Sequence, residues 1–278
     1  MVPFRKMHGL GNDFVVFDAR RKSVALDEAA ARAVADRRRG IGCDQVILLE
    51  PARTGGDALM RIFNADGNEV EACGNAARCV ARLLMAEMNR PSVEIDSEGG
   101  LLRCTDAGNG RVMVDMGRPK FDWHDIPLSE ARDSNAINLR LNGMDIDAAA
   151  VSVGNPHCVI FVADADKASV SEIGSQVERH ALFPEGANVE FVSMVQEGRL
   201  RMRVWERGVG ITRACGTGAC AAVAAAARRG IGSRASEVIL DGGMLMVEWR
   251  PADDHILLTG ATNFVFEGAI DFAELATN

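Results

Sequence analysis

Two cysteines stand in the same short setting at widely separated points of the chain. Cys73 lies in Ala72-Cys73-Gly74-Asn75 and Cys215 in Ala214-Cys215-Gly216-Thr217. Each follows a segment with strand character and precedes one with helical composition. A thiol at the start of a helix faces unpaired backbone N–H groups and the positive end of the helix dipole, so its pKa is expected to fall. The same N–H groups attract a carboxylate. Gly74 and Gly216, having no Cβ, permit close backbone approach. Two such thiols on either side of one carboxylate-bearing carbon could remove its proton from one face and return a proton to the other, because a thiol near its pKa acts as acid or base.

The cysteines are one match in a longer repeat. Gly11-Asn12-Asp13-Phe14-Val15-Val16-Phe17 reads like Gly154-Asn155-Pro156-His157-Cys158-Val159-Ile160-Phe161, and Arg61-Ile62-Phe63-Asn64-Ala65-Asp66-Gly67 like Arg203-Val204-Trp205-Glu206-Arg207-Gly208. A weaker match joins Gly42-Cys43-Asp44-Gln45 to Gly186-Ala187-Asn188. Position 154 against 11, 203 against 61 and 215 against 73 keep a nearly constant offset of about 142 residues. The economical reading is an internal duplication with an α+β fold. It consists of two pseudo-symmetric α/β domains with equivalent loops turned toward a shared cleft, where ligand sites are common. Turn chemistry at Gly117-Arg118-Pro119 sets the expected boundary. The halves are then 1–117, joined by the last strand at 263–278, and 118–262.

Each half reads as strand, turn, strand, Cys-Gly, helix. Leu59 to Asn64 alternates as a strand, Ala65-Asp66-Gly67 turns, and Glu69 to Ala72 returns. The helix that follows is expected over Ala76 to Met85. In the second half the strand is Arg199 to Glu206, the return Ile211 to Ala214, and the helix Thr217 to Arg229, stopped by Gly230. A further helix is expected from Glu28 to Arg39, with Asp27 as N-cap and Gly40 ending it.

The bulk numbers narrow the function classes. The chain has 278 residues, 47% hydrophobic and 25% charged, with a net charge of −8. That composition describes globular domains and argues against disorder. The acidic balance argues against a nucleic-acid partner. The start of the chain shows no secretory signal, and Ala219 to Ala227 is too short an apolar run to cross a bilayer, so a cytoplasmic protein without a membrane partner is expected. Seven cysteines without a C-x-x-C fit free thiols in a reducing compartment. A zinc site from Cys73, Cys79, Cys215 and Cys220 has poor spacing, and no metal is expected. The only lysines are Lys6, Lys22, Lys120 and Lys167, none in a repeated motif, so no Schiff-base cofactor is expected either.

Plainer readings stand beside these. A single cysteine is most often a buried packing residue, and Cys43, Cys79, Cys104, Cys158 and Cys220 keep that reading. Asn12, Asn155 and Asn188 are turn formers by type. Glu206 and Arg207 could be a surface pair. His157, equivalent to Phe14 in the repeat, could be a structural histidine. Duplication at one local position is what lifts Cys73 and Cys215 above the plain reading.

Taken together the motifs resemble the diaminopimelate epimerases. The resemblance covers His8-Gly9-Leu10-Gly11-Asn12-Asp13-Phe14, Glu71-Ala72-Cys73-Gly74-Asn75-Ala76-Ala77-Arg78, Gly186-Ala187-Asn188-Val189-Glu190-Phe191, Trp205-Glu206-Arg207-Gly208 and Ala214-Cys215-Gly216-Thr217-Gly218, with the matching segments around Gln45, Asn64 and Asn155. It implies interconversion of LL- and meso-diaminopimelate without a cofactor. Cys73 and Cys215 then match the proton donor and acceptor, and His157 and Glu206 match positions that tune the thiols. Asn12, Gln45, Asn64, Gly74, Asn75, Asn155, Asn188, Glu206, Arg207, Gly216 and Thr217 match substrate contacts. Arg207 would hold a distal carboxylate bidentately, and the carbonyls of Asn64, Asn155 and Asn188 would accept from the distal ammonium. A homodimer is implied as well, although Phe266 stands where the family often has a tyrosine. A related racemase acting on proline or hydroxyproline is the competing reading, followed by a non-catalytic amino-acid-binding protein.

Overall fold

The computed structural model describes residues 1–70 and 73–275 and divides into two compact units. The first comprises residues 1–114 with 259–278, the second residues 115–258. In the first unit the antiparallel pair β1 (Val2–Gly9) and β2 (Asn12–Asp18) turns at Leu10 and Gly11, both with positive φ. The helix α1 (Glu28–Ala35) crosses to β3 (Gln45–Glu50), which lies parallel to β2. Next come β4 (Ala58–Asn64), the short return β5 (Glu69–Val70), the helix α2 (Gly74–Met88), then β6 (Ser92–Ser97), β7 (Gly100–Asp106) and β8 (Arg111–Asp115). β4 is antiparallel to β3 and β5 but parallel to β6, the crossover being α2. Residues Asn263–Ile270 form a strand antiparallel to β1.

The second unit repeats this plan. β9 (Ile137–Leu141) and β10 (Met144–Ser152) precede β11 (Pro156–Phe161), and α3 (Val170–Glu178) crosses to β12 (Asn188–Gln196), parallel to β11. β13 (Arg199–Glu206), the return β14 (Gly210–Thr212), α4 (Gly216–Arg228), β15 (Ala235–Leu240) and β16 (Gly243–Trp249) follow, with β13 parallel to β15. The parallel pairs even share register. Phe14 faces Gln45 in one unit, and His157, its repeat partner, faces Asn188 in the other. The chain is a duplicated α/β fold.

Each unit builds its own core. Val15, Phe17, Val34, Val46, Leu48 and Phe63 cluster under α1, while Ile160, Val177, Val189 and Phe191 do so under α3. Fully burying one such aliphatic or aromatic side chain contributes roughly 1.5–3 kcal/mol. The crossing helices also brace the turns that precede the cysteines. Arg32 of α1 donates to the Asp66 carbonyl at 3.0 Å, and Glu178 of α3 accepts from Gly208 N at 2.7 Å. Gly67 has φ +89°, and a Cβ there would lie 2.4 Å from the Glu28 carbonyl, so this turn tolerates only glycine.

Helix bounds differ from the sequence expectation in instructive ways. α1 begins as expected, with Asp27 accepting from Ala30 N at 2.8 Å, but ends at Ala35 rather than Arg39. Asp36 is the cause: its Oδ1 takes the N–H groups of Arg38 and Arg39, a local turn that competes with further helix. α2 starts two residues earlier and ends three later than expected, and α4 is displaced by one residue at each end. Of the expected return to Ala72, only Glu69–Val70 lies within the described residues as strand; the return to Ala214 is strand over Gly210–Thr212 alone.

Candidate active site

In the first unit the topology sets Asn12, Gln45, Asn64 and Cys73 at one end of the strands. Asn12 opens β2, Gln45 opens β3 and pairs in register with Asn64 at the end of β4, and Cys73 is the N-cap of α2. Gly74 and Asn75 form the first turn of that helix. The Cys73 thiol donates to Asn12 Oδ1 at 3.8 Å, and Asn75 Nδ2 donates to the same oxygen at 3.2 Å. Gln45 Nε2 donates to Asn64 Oδ1 at 2.9 Å. That leaves Gln45 Oε1 buried without a partner, an acceptor whose desolvation is uncompensated.

The second unit repeats the arrangement with other chemistry. Asn155 precedes β11, Asn188 opens β12, Glu206 ends β13, and Cys215 caps α4, whose first residues are Gly216 and Thr217. Cys215 Sγ accepts from Gly218 N at 3.3 Å and lies 3.5 Å from the Thr217 hydroxyl. The Thr212 hydroxyl donates to Glu206 Oε1. His157 is closed to solvent between Glu190 Oε1, 2.7 Å from Nδ1, and Asn155 Oδ1, 2.8 Å from Nε2.

The helix position alone predicts a lowered pKa for Cys215, and the structure overturns that. Burial pushes this thiol well above its ordinary range, and the carboxylates of Glu206 and Glu190 push it further, against the hydrogen bonds from Thr217 and Gly218. Burial and these two carboxylates disfavour the Cys215 thiolate. Introducing a positive charge beside it, such as an α-ammonium group, would favour the thiolate.

Three expected carbonyl groups already have neighbours. Asn64 Oδ1 accepts from Gln45, the Asn155 side chain lies 2.8 Å from His157 Nε2, and Asn188 Oδ1 accepts from Arg207 N at 3.0 Å while its Nδ2 holds the Pro156 carbonyl at 3.2 Å. Asn188 thus anchors the backbone of Arg207, whose exposed guanidinium touches the Glu185 carbonyl at 2.9 Å. Among the described residues of the two sites, Gln45 Oε1 and Glu190 Oε2 are buried acceptors without a partner.

Residues not singled out from the sequence complete each site. Asp44 binds Asn12, Arg78 binds Asn75, and Glu190 binds His157. All three stand inside quoted motifs, but residue type alone does not say which neighbour a charge will meet. Gly218 is the fourth: a Cβ there would lie 2.8 Å from Glu190 Oε1 and 3.2 Å from Cys215 Sγ. A cavity of about 490 Å³ beside α1, lined by Arg32, Asp36, Arg39 and Leu275, contains none of these residues. Among the described residues no group of three or more His, Cys, Asp or Glu side chains could hold a metal ion, and no helix is long and apolar enough to cross a membrane.

Known proteins resemble this chain in sequence and fold. A family model described as diaminopimelate epimerase matches residues 4–121 and 149–265. A diaminopimelate epimerase of Rhodospirillum centenum is 50% identical over 96% of this chain and 91% of its own length. One from Erythrobacter litoralis is 51% identical over 98% of each. Among solved structures, a probable proline racemase from Agrobacterium radiobacter K84 with bound carbonate superposes with a TM-score of 0.70, covering 98% of this chain and 93% of its own at 20% identity. That last likeness is one of fold.

Proposed function

Because the chain belongs to the diaminopimelate epimerase family, we propose that it interconverts LL- and meso-diaminopimelate by two-base proton transfer, with Cys73 and Cys215 as the two bases. The observation that carries this reading is the duplication of one local device, a cysteine at the N-cap of a helix that follows a strand ending in a polar residue, Asn64 in one unit and Glu206 in the other.

In the direction that begins from the LL isomer, the Cys215 thiolate takes the α-proton and the electron pair stays on the α-carbon, delocalised into the carboxylate. The Cys73 thiol then gives its proton to the opposite face, and the roles exchange in reverse. The growing carboxylate charge is met by N–H groups at Gly74-Asn75 and Gly216-Thr217, the first turns of α2 and α4. The Cys215 proton must first leave against burial and two carboxylates, so substrate ammonium and Glu206 as proton acceptor are assigned that task. His157 acts on this chemistry through Asn155 and Glu190, since both its ring nitrogens are engaged. No cofactor is called on.

For the distal end, Arg207 supplies the cation for a second carboxylate, and the unpartnered Gln45 Oε1 accepts from an ammonium. A monocarboxylate imino acid would leave Arg207 without a partner, which weighs against proline or hydroxyproline as substrate. We assign the protein to lysine biosynthesis in the cytoplasm, as a homodimer. The strand Asn263–Ile270 exposes Phe264, Val265 and Phe266 at 45–50%, and that apolar edge would be covered in a dimer without a tyrosine hydroxyl.

Incubating the protein with LL-diaminopimelate in D₂O should give meso product carrying α-deuterium. Exchange on proline with none on diaminopimelate would overturn the substrate assignment, and full turnover by both Cys73→Ala and Cys215→Ala would overturn the mechanism.

A further inference from the structure

In the first unit a continuous hydrogen-bonded line runs between two charges. Arg78, closed to solvent, donates from Nη2 to Asn75 Oδ1 at 2.5 Å. Asn75 Nδ2 donates to Asn12 Oδ1 at 3.2 Å, and Asn12 Nδ2 to Asp44 Oδ2 at 3.0 Å. Arg37 holds the other Asp44 oxygen at 2.8 Å. A guanidinium can only donate and a carboxylate can only accept. Each amide is therefore fixed in one of its two orientations by the charge at its own end. Reversing either would place two donors or two acceptors face to face.

The consequence falls on Cys73. Asn12 Oδ1, which the line turns away from Asp44, is the atom that the Cys73 sulfur reaches. A carbonyl oxygen beside sulfur stabilises the thiol and opposes the thiolate. Among the described residues, the charges Lys6 on β1, Asp13 on β2 and Arg37 are paired with one another, and His8 on β1 accepts from Gly11 N. The second unit has no such line. Ala187 occupies the place of Asp44, as the register of Asn188 with His157 and of Gln45 with Phe14 shows, and Cys215 meets N–H and O–H groups instead.

We propose that Asp44 and Arg78 are positioning residues that hold the Asn12 carbonyl against Cys73, so that this thiol keeps its proton until substrate displaces the contact. The proposal deepens the epimerase reading and rests on it for the role of Cys73. It also makes the duplication functionally asymmetric: one thiol is turned toward an acceptor, the other toward donors.

Asp44 is the tractable end, since its side chain is 43% exposed. Peptide-resolved alkylation of the full-length protein by iodoacetamide at neutral pH reads Cys73 and Cys215 separately. In Asp44→Ala the Cys73 rate should rise about tenfold, the effect of losing one oriented hydrogen bond, with the Cys215 rate unchanged. The kcat should fall while KM holds. Asp44→Asn can still offer Asn12 a carbonyl, with Arg78 fixing the far end, and should restore slow alkylation and most of kcat. If Asp44→Asn behaves like Asp44→Ala, charge alone is acting and the line is refuted. Unaltered Cys73 alkylation in both variants refutes it too. The alkylation rates decide the point whether or not diaminopimelate turns over, so a failed activity assay would count against the proposed function alone.

Discussion

His157 Nδ1 lies 2.7 Å from Glu190 Oε1, and neither side chain touches solvent. A buried carboxylate and imidazole joined this way are expensive to separate, because either one left alone is a buried polar group without a partner. Glu190→Ala should lower unfolding free energy by about 3–5 kcal/mol. Glu190→Gln, which keeps a hydrogen bond, should cost only about 1–3 kcal/mol. Urea titrations of the two variants check the order; equal losses would mean that volume, and not the pairing, is what matters.

Gly218 sits where its N–H reaches the Cys215 sulfur and a Cβ would press on Glu190. Gly218→Ala should therefore shift the start of α4 and with it the thiol. A displacement on the scale of 1 Å is expected to reduce α-proton exchange about a hundredfold while the protein stays folded. Deuterium exchange and far-ultraviolet circular dichroism on the same sample provide the test, and full activity would show that the helix start adjusts freely.

Burial raises the thiols of Cys43, Cys79 and Cys104 from the ordinary 9.0 to about 12. A thiol whose folded value is raised binds its proton more tightly in the folded state. The associated stability is complete below pH 9 and lost as pH climbs toward 12. Each thiol contributes a slope of about 1.4 kcal/mol per pH unit in that window. Unfolding in reducing buffer should show this alkaline decline, and Cys104→Val should make it shallower. An unchanged slope would place the alkaline loss elsewhere.

Asp13 responds at the other end of the scale. Burial works against its charge, yet hydrogen bonds from Arg37 and Lys6 outweigh it and bring the carboxyl down from 3.8 to about 2. The sign is opposite to that of the thiols: the stability is present above 3.8 and disappears as pH falls toward 2. Asp13→Asn should destabilise at neutral pH and converge with the parent protein in acid. Parallel curves at all pH values would remove Asp13 from the acid response.

Much of this was legible beforehand, for identifiable reasons. The duplication is written in short motifs at one offset, and strand periodicity with turn residues gives the strand, turn, strand, Cys-Gly, helix unit. Cys73 and Cys215 stood out because both copies place a cysteine at the same point, and the structure sets each at a helix N-cap. What could not be read was the partner of each charge. Asp44, Arg78 and Glu190 gain their roles from contacts spanning from three to more than thirty positions, set by register and side-chain rotamer. The thiol pKa of Cys215 failed for a related reason. A helix dipole is local and visible in a sequence, whereas desolvation depends on everything packed around the sulfur. The helix α3 was not anticipated, although Glu178 at its end holds the turn that bears Arg207.

The helix behind Cys215 is almost wholly alanine from Ala219 to Ala226, and every one of those positions is buried. Side chains this short let a helix axis lie nearer its sheet than leucine or isoleucine would allow. Alanine here works as a spacer of minimum thickness, fixing how far the reactive sulfur stands from the strand ends. A methyl group added along that face would be felt at the thiol as a displacement, so the most chemically inert stretch of the chain governs where the Cys215 sulfur stands.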